Sequence, residues 1–326
     1  MKKTLFALLI FPALLSAQGD SSWTGKPKLF LSGFVDVFYV YDANEPEGLN
    51  RQYFFFNHNR HNEFNLNLGL LSLGVDHQKY RAKFSLQAGT YADDNYALER
   101  GLAKNIFEAT VGISLNEENS LWLDAGIMPS HLGFEGALSI DNYTLTRSLA
   151  AESSPYFLSG AKLTFTPNEK WELAALVVNG WQRIQRPQGS SVPSFGSQVI
   201  WNASESVMLN YSTFIGSDDP DSFRRMRYFH NLYGTFEITD KFRLIAGFDL
   251  GFQQVWKDSS YYYTWFVPTL IAQIDLSDHW QMGIRAEHYN DKNGVIIPTP
   301  TTNGFQTTGA SLNFDYKPTA KVACRF

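Results

Sequence analysis

The chain has 326 residues, of which 44% are hydrophobic, 15% aromatic and 18% charged, with a net charge of −5 and a single cysteine. That apolar mass excludes a disordered chain. The missing positive balance speaks against nucleic acid as a partner, and one cysteine excludes an internal disulfide framework and a cysteine-cluster zinc site. An aromatic-rich, charge-poor chain leaves all-β architectures in front, the membrane barrel included.

Residues 1–17 read as a signal peptide. Lys2 and Lys3 form a positive start, Leu5 to Leu15 an apolar stretch too short to cross a bilayer, and Leu15-Ser16-Ala17 a small-residue cleavage site. No cysteine follows that site to carry a lipid anchor. Residues 18–27 are expected to form a short periplasmic segment and 28–326 a single β-barrel domain.

After Pro27 the dominant hydrophobic period is two. In Lys241–Leu250, for example, Phe242, Leu244, Ala246, Phe248 and Leu250 share one face, while Arg243, Ile245, Gly247 and Asp249 share the other. Such alternation predicts strands. Fourteen segments carry it, near 28–41, 61–75, 79–90, 105–116, 119–128, 156–166, 169–180, 194–202, 205–216, 227–239, 241–254, 262–276, 279–290 and 305–317, and a partial fifteenth occupies 320–326. Most are long enough for a tilted strand to cross a membrane, which takes about 9–11 residues. Short turns alternate with longer polar connections at 42–60, 91–104, 129–155, 181–193, 217–226, 255–261 and 291–304. Short turns on one side and long loops on the other predict a transmembrane antiparallel up-and-down β-barrel of 14 to 16 strands, with the turns periplasmic and the loops extracellular. Trp122, Trp171, Trp201 and Trp280 near short turns, and Trp181, Trp256 and Trp265 near long loops, are expected to form two interfacial girdles.

With the apolar face toward lipid, the other face lines a wet lumen. It carries Arg81, Lys83, Glu108, Asp124, Lys162, Glu172, Glu237, Arg243, Asp249, Arg285 and Glu287, interspersed with small residues such as Gly112, Gly126, Gly160, Gly247 and Gly283. Mixed charge of this kind predicts weak ion selectivity. The longest connection, 129–155, is less polar than a free loop. Phe134, Leu138, Ile140, Tyr143, Leu145 and Leu149 need burial, which the barrel interior can provide. Folded inward, the loop would set Glu135, Asp141, Arg147 and Glu152 across the pore as constriction candidates. An external cap or a subunit contact would bury the same side chains.

The run from Trp122 to Glu135, followed by Asp141-Asn142-Tyr143-Thr144, Arg147-Ser148-Leu149, Ala151 to Tyr156 and Asn179 to Ile184, resembles the putative β-barrel porin-2 family of bacterial outer-membrane proteins, and Gly33 to Tyr39 is similar to that family's first strand. The resemblance covers the mature chain and is most specific at 122–156. It implies an outer-membrane porin and transfers no site residue. Single-chain bacterial barrels have even strand numbers. The segment 320–326 therefore reads either as a short tail on a closed fourteen-strand barrel or as the start of a sixteen-strand barrel whose coding sequence is cut short. The second is favoured.

The function expected is passive diffusion of small hydrophilic solutes and ions, with membrane lipid and lipopolysaccharide as surroundings, no cofactor or metal, and a homo-oligomer, a trimer by analogy. The alternative is a structural or receptor barrel that binds a ligand through its loops. Arg224-Arg225-Met226-Arg227 could serve it, since arginine matches phosphate geometry. A hydrolase is disfavoured, because no Gly-x-Ser-x-Gly elbow is present and the histidines (His58, His61, His77, His131, His230, His279, His288) fall at turns, loops and strands without a nucleophile partner.

Overall fold

The computed structural model describes residue 23 and residues 25–326. The expected signal peptide, 1–17, lies outside the described residues. The fold is one antiparallel sheet of fifteen strands in sequence order. They are β1 (Lys28–Tyr39), β2 (Phe64–Asp76), β3 (Tyr80–Ala88), β4 (Ile106–Ser114), β5 (Leu121–Pro129), β6 (Phe157–Asn168), β7 (Trp171–Val178), β8 (Ser194–Ser204), β9 (Val207–Gly216), β10 (Arg227–Thr239), β11 (Phe242–Gln254), β12 (Tyr262–Asp275), β13 (Trp280–Asp291), β14 (Phe305–Thr319) and the short β15 (Val322–Arg325). β1 and β15 are the two edges of the sheet. Short turns join the strands on one side. Loops L1 (40–63), L2 (89–105), L3 (130–156), L4 (179–193), L5 (217–226), L6 (255–261) and L7 (292–304) join them on the other. Two small helices sit in loops, α1 (Thr90–Asn95) in L2 and α2 (Leu149–Glu152) in L3.

The two faces of the sheet invert the arrangement of a water-soluble protein. Leu71, Leu73, Phe84, Val111, Leu232, Phe248, Leu270 and Leu312 are exposed, whereas Ser72, Ser85, Gln87, Asn210, Ser212, Asn231, Gln273 and Asn313 are buried. Such a surface is stable only with lipid outside. There the hydrocarbon leaves every backbone N–H and C=O to be met inside the sheet, and the continuous strand ladder meets them.

Strand parity corrects the tryptophan girdles. Trp171 and Trp201 stack on the outer face at 5.6 Å between ring centroids, and Trp256 and Trp280 are exposed. Trp265 is only 1% exposed, because it shares the inner face with Val267 and Thr269. Trp181 packs edge-on against the buried Phe214 and Phe229. Trp122 lies beneath the Arg81 guanidinium, on the inner face with Asp124. Nearness to a loop does not select the face a ring takes. The odd–even position along its strand does.

Leu232 sits at the centre of β10, 52% exposed, with Tyr211 and Phe248 as register partners. Leu232→Arg is expected to lower folding stability in phospholipid vesicles by about 2–4 kcal/mol, the cost of a cation near the bilayer midplane. Urea titration checks it, and a loss below about 0.5 kcal/mol would place this face away from lipid.

Candidate pore and constriction loop

The inner wall carries most of its charges as pairs, three of them bridging strands. Arg81 on β3 reaches across β4 to Asp124 on β5, its Nε and Nη2 donating to Oδ1 and Oδ2 at 2.7 and 2.6 Å. The bridge passes over Gly112, where a Cβ would run into Asp124. Lys83 pairs with Glu108 at 2.8 Å. Lys162, in register with Asp124, has no ion pair among the described residues. These groups line a 430 Å³ cavity with Asp76, Thr110 and Gln198 that reaches the start of L3 at Ser130 and His131. Arg243 donates to Asp275 at 2.5 Å, Arg285 pairs with Glu287 at 2.9 Å, and Asp249 accepts from Asn231 at 2.6 Å. Pairing is what makes such groups tolerable where water is thin.

L3 folds into the lumen and is held by the wall. His131 enters first. Its carbonyl accepts from Gln198 and Ser212 at 3.1 and 2.9 Å, and its Nε2 bonds to Thr213 O at 2.8 Å. Burial pushes the His131 imidazole down to about 4, outweighing that bond, so the ring is neutral and Nε2 carries the donated proton. The Gly133 N–H donates to Asn231 at 3.1 Å and Phe134 meets Tyr233 at 5.6 Å between rings. Further along, Leu145 N donates to Asn313 at 3.2 Å, Leu149 N donates to Glu287 at 2.6 Å, and Arg285 donates to Thr144 and Thr146. Arg325 on β15 donates to the carbonyls of Ser139 and Asn142 at 2.5 and 2.9 Å. Glycines clear the space: a Cβ at Gly196 would crowd His131, one at Gly247 Phe134, and one at Gly283 the Tyr143 carbonyl.

The four loop candidates separate. Glu135 accepts from the Ser148 N–H at 2.9 Å and from its hydroxyl, which caps α2. Arg147 is 1% exposed and donates to the carbonyls of Gly136 and Ala137 at 2.7 and 2.9 Å, folding L3 back on itself. Glu152 accepts from Phe56 N at 2.9 Å and from the N–H and side-chain amide of Asn57 at 3.2 and 3.1 Å, tying L3 to L1. Asp141 ends a 3₁₀ turn (Ser139–Asp141) and is the exposed carboxylate of the loop. Reasoning from charge passed over the neutral wall side chains Gln198, Ser212, Asn231 and Asn313. The visible signal was a polar residue at an inward position of a strand.

L1 is held the same way. His58 is buried, bonds through Nε2 to Asp36 on β1 at 3.0 Å, and takes Asn67 of β2 on its N–H. L1 and L3 thus form one body over the upper lumen, with a 280 Å³ cavity between them and β13–β14 lined by Arg51, Phe54, Arg147, Arg285 and Glu287.

The family model "Putative beta-barrel porin-2, OmpL-like" matches residues 28–326. The fold is similar to an anion-selective porin from Comamonas acidovorans, at 10% identity and a TM-score of 0.58, covering 90% of this chain and 85% of that one. It is also similar to the outer membrane channel DcaP of Acinetobacter baumannii, at 11% identity and a TM-score of 0.57, covering 92% of this chain and 89% of that one. No curated protein matches the sequence.

Burial pushes the Glu152 carboxyl up to about 7, against the lowering effect of its N–H donors and Arg147. The folded state therefore binds this proton more tightly than the unfolded chain does. The stability it confers is full below the ordinary carboxylate range and is lost as pH rises through about 7. Open-channel current noise is expected to rise between pH 6 and 8 as the L1–L3 tie loosens, with a midpoint near the Glu152 value of about 7. Glu152→Gln should flatten the profile. An unchanged profile would remove Glu152 as its source.

Proposed function

We propose that the chain, which belongs to the putative β-barrel porin-2, OmpL-like, family, passes small hydrophilic solutes and ions by passive diffusion through a water-filled barrel whose bore L3 sets. The protein is an outer-membrane porin. The observation that carries the constriction is L3 itself, seated inside the lumen by hydrogen bonds from β8–β10 and β13–β15. In this reading Asp141 faces the solute path, while Glu135, Arg147 and Glu152 keep the loop in shape. Lumen charge is mixed and largely paired. That arrangement supports a weak ion preference, unlike the anion selectivity of the Comamonas porin. The domain reading that goes with it is cleavage after Ala17, a short periplasmic segment over 18–27 and the barrel from residue 28.

Planar-bilayer recording of the refolded protein should show discrete ohmic steps. A barrel with heat-modifiable mobility but no steps would overturn the diffusion reading in favour of a receptor. Asp141→Lys is expected to move the reversal potential in a salt gradient toward anions. Replacing 136–147 by a short Gly-Ser linker should raise single-channel conductance severalfold, and unchanged conductance would show that L3 does not set the bore.

A further inference from the structure

On the extracellular side of L3 a separate 260 Å³ cavity lies under L4, L5 and L7, with Trp181, Phe214, Arg227, Gln253, Tyr263 and Val295 in its lining. Arg227, the first residue of β10, ends the basic run Arg224-Arg225-Met226-Arg227, and it behaves unlike its neighbours. Arg224 is taken by Asp221 at 3.3 Å and Arg225 by Asp219 at 2.8 Å. Asp218 is occupied by Arg183 at 3.2 Å and by the Trp181 N–H at 3.0 Å. Arg227 has no salt bridge among the described residues. Its Nε and Nη2 both donate to Gln253 Oε1, at 3.0 and 2.7 Å. Its guanidinium lies over the Trp181 ring at 4.9 Å and the Trp265 ring at 5.8 Å.

The cavity lining and its neighbours therefore hold three cations, Arg183, Arg225 and Arg227, against two carboxylates, Asp218 and Asp219, which leaves one positive charge over. The guanidinium thus sits over two indole rings, and Gln253 takes its Nε and Nη2. Nη1 has no protein acceptor among the described residues. A planar donor held over aromatic rings and by a side-chain amide is preorganised for an anion at its remaining nitrogen, and a partly desolvated guanidinium gains most from a carboxylate. The cavity lies just under the usual 300–1,000 Å³ of small-molecule sites, so the occupant is small. Trp181, Tyr263 and Val295 offer its body an apolar wall.

We propose that this cavity is a binding subsite for small carboxylates with an apolar ring, in which the carboxylate meets the free edge of Arg227. The assignment deepens the porin reading and rests on it, as a first contact for solutes at the mouth.

The test is titration calorimetry of the detergent-refolded full chain with benzoate, and with benzamide as the uncharged partner of the same shape. Benzoate is expected to bind saturably and benzamide at least tenfold more weakly. Arg227→Gln should weaken benzoate about tenfold or more, and Arg227→Lys, which keeps the charge but loses the planar edge, by a smaller factor. Heat-modifiable mobility shows that each variant has folded. If Arg227→Gln does not fold, the benzoate–benzamide contrast and Arg227→Lys carry the test. No benzoate binding, equal affinity for the two compounds, or full affinity in a folded Arg227→Gln protein would overturn the proposal. Calorimetry needs no current, so this outcome stands apart from the conductance steps that test the porin reading.

Discussion

An irregular segment inside a barrel brings backbone donors and acceptors that have no ladder to join, and the wall has to supply their partners. That constraint organises the lumen. L3 enters between β5 and β6 and is met by neutral amide and hydroxyl side chains on β8 to β10, then by Glu287, Asn313 and Arg325 on β13 to β15. The meeting requires close approach, so the wall is cut back to glycine where the loop presses hardest, at 196, 247 and 283. Side chains that look like unremarkable polar residues along a strand are the sockets of the loop.

The remaining wall charges have a different task. On β3 to β5, Arg81, Asp124, Lys83 and Glu108 cancel one another across strands and line a cavity that reaches the entry of L3 at Ser130 and His131. Within L3, Arg147 turns toward the loop's own carbonyls and Glu152 toward L1. Neutral amides and hydroxyls thus share the anchoring of L3 with Glu287, Arg285 and Arg325, while the remaining wall charges cancel one another.

Much of the fold was legible in the sequence. The period of two and the alternation of short turns with long loops place the strands to within a few residues, because both follow from a tilted strand crossing a slab of hydrocarbon. The apolar content of 129–155 already required burial. The geometry of the site was less legible. Glu152 finds its donors on Phe56 and Asn57, and Leu149 finds its acceptor on Glu287. No local pattern records such distant pairings. The inward tryptophans show a milder limit: parity was readable for Trp265 beside Val267, but proximity to a loop is a weaker guide than position on the strand.

The separation along the chain of the groups that hold L3 has one more consequence. Glu152 reaches back 96 residues to Phe56, and His131 meets Ser212 81 residues on. The later contacts lie 138, 168 and 186 residues apart, at Glu287, Asn313 and Arg325. Contacts that span so much chain close last, since each waits for the segment between to be ordered. The seating of L3 therefore belongs to the late, long-range steps of folding. In the finished wall the same loop bridges early and late strands and acts as an internal brace.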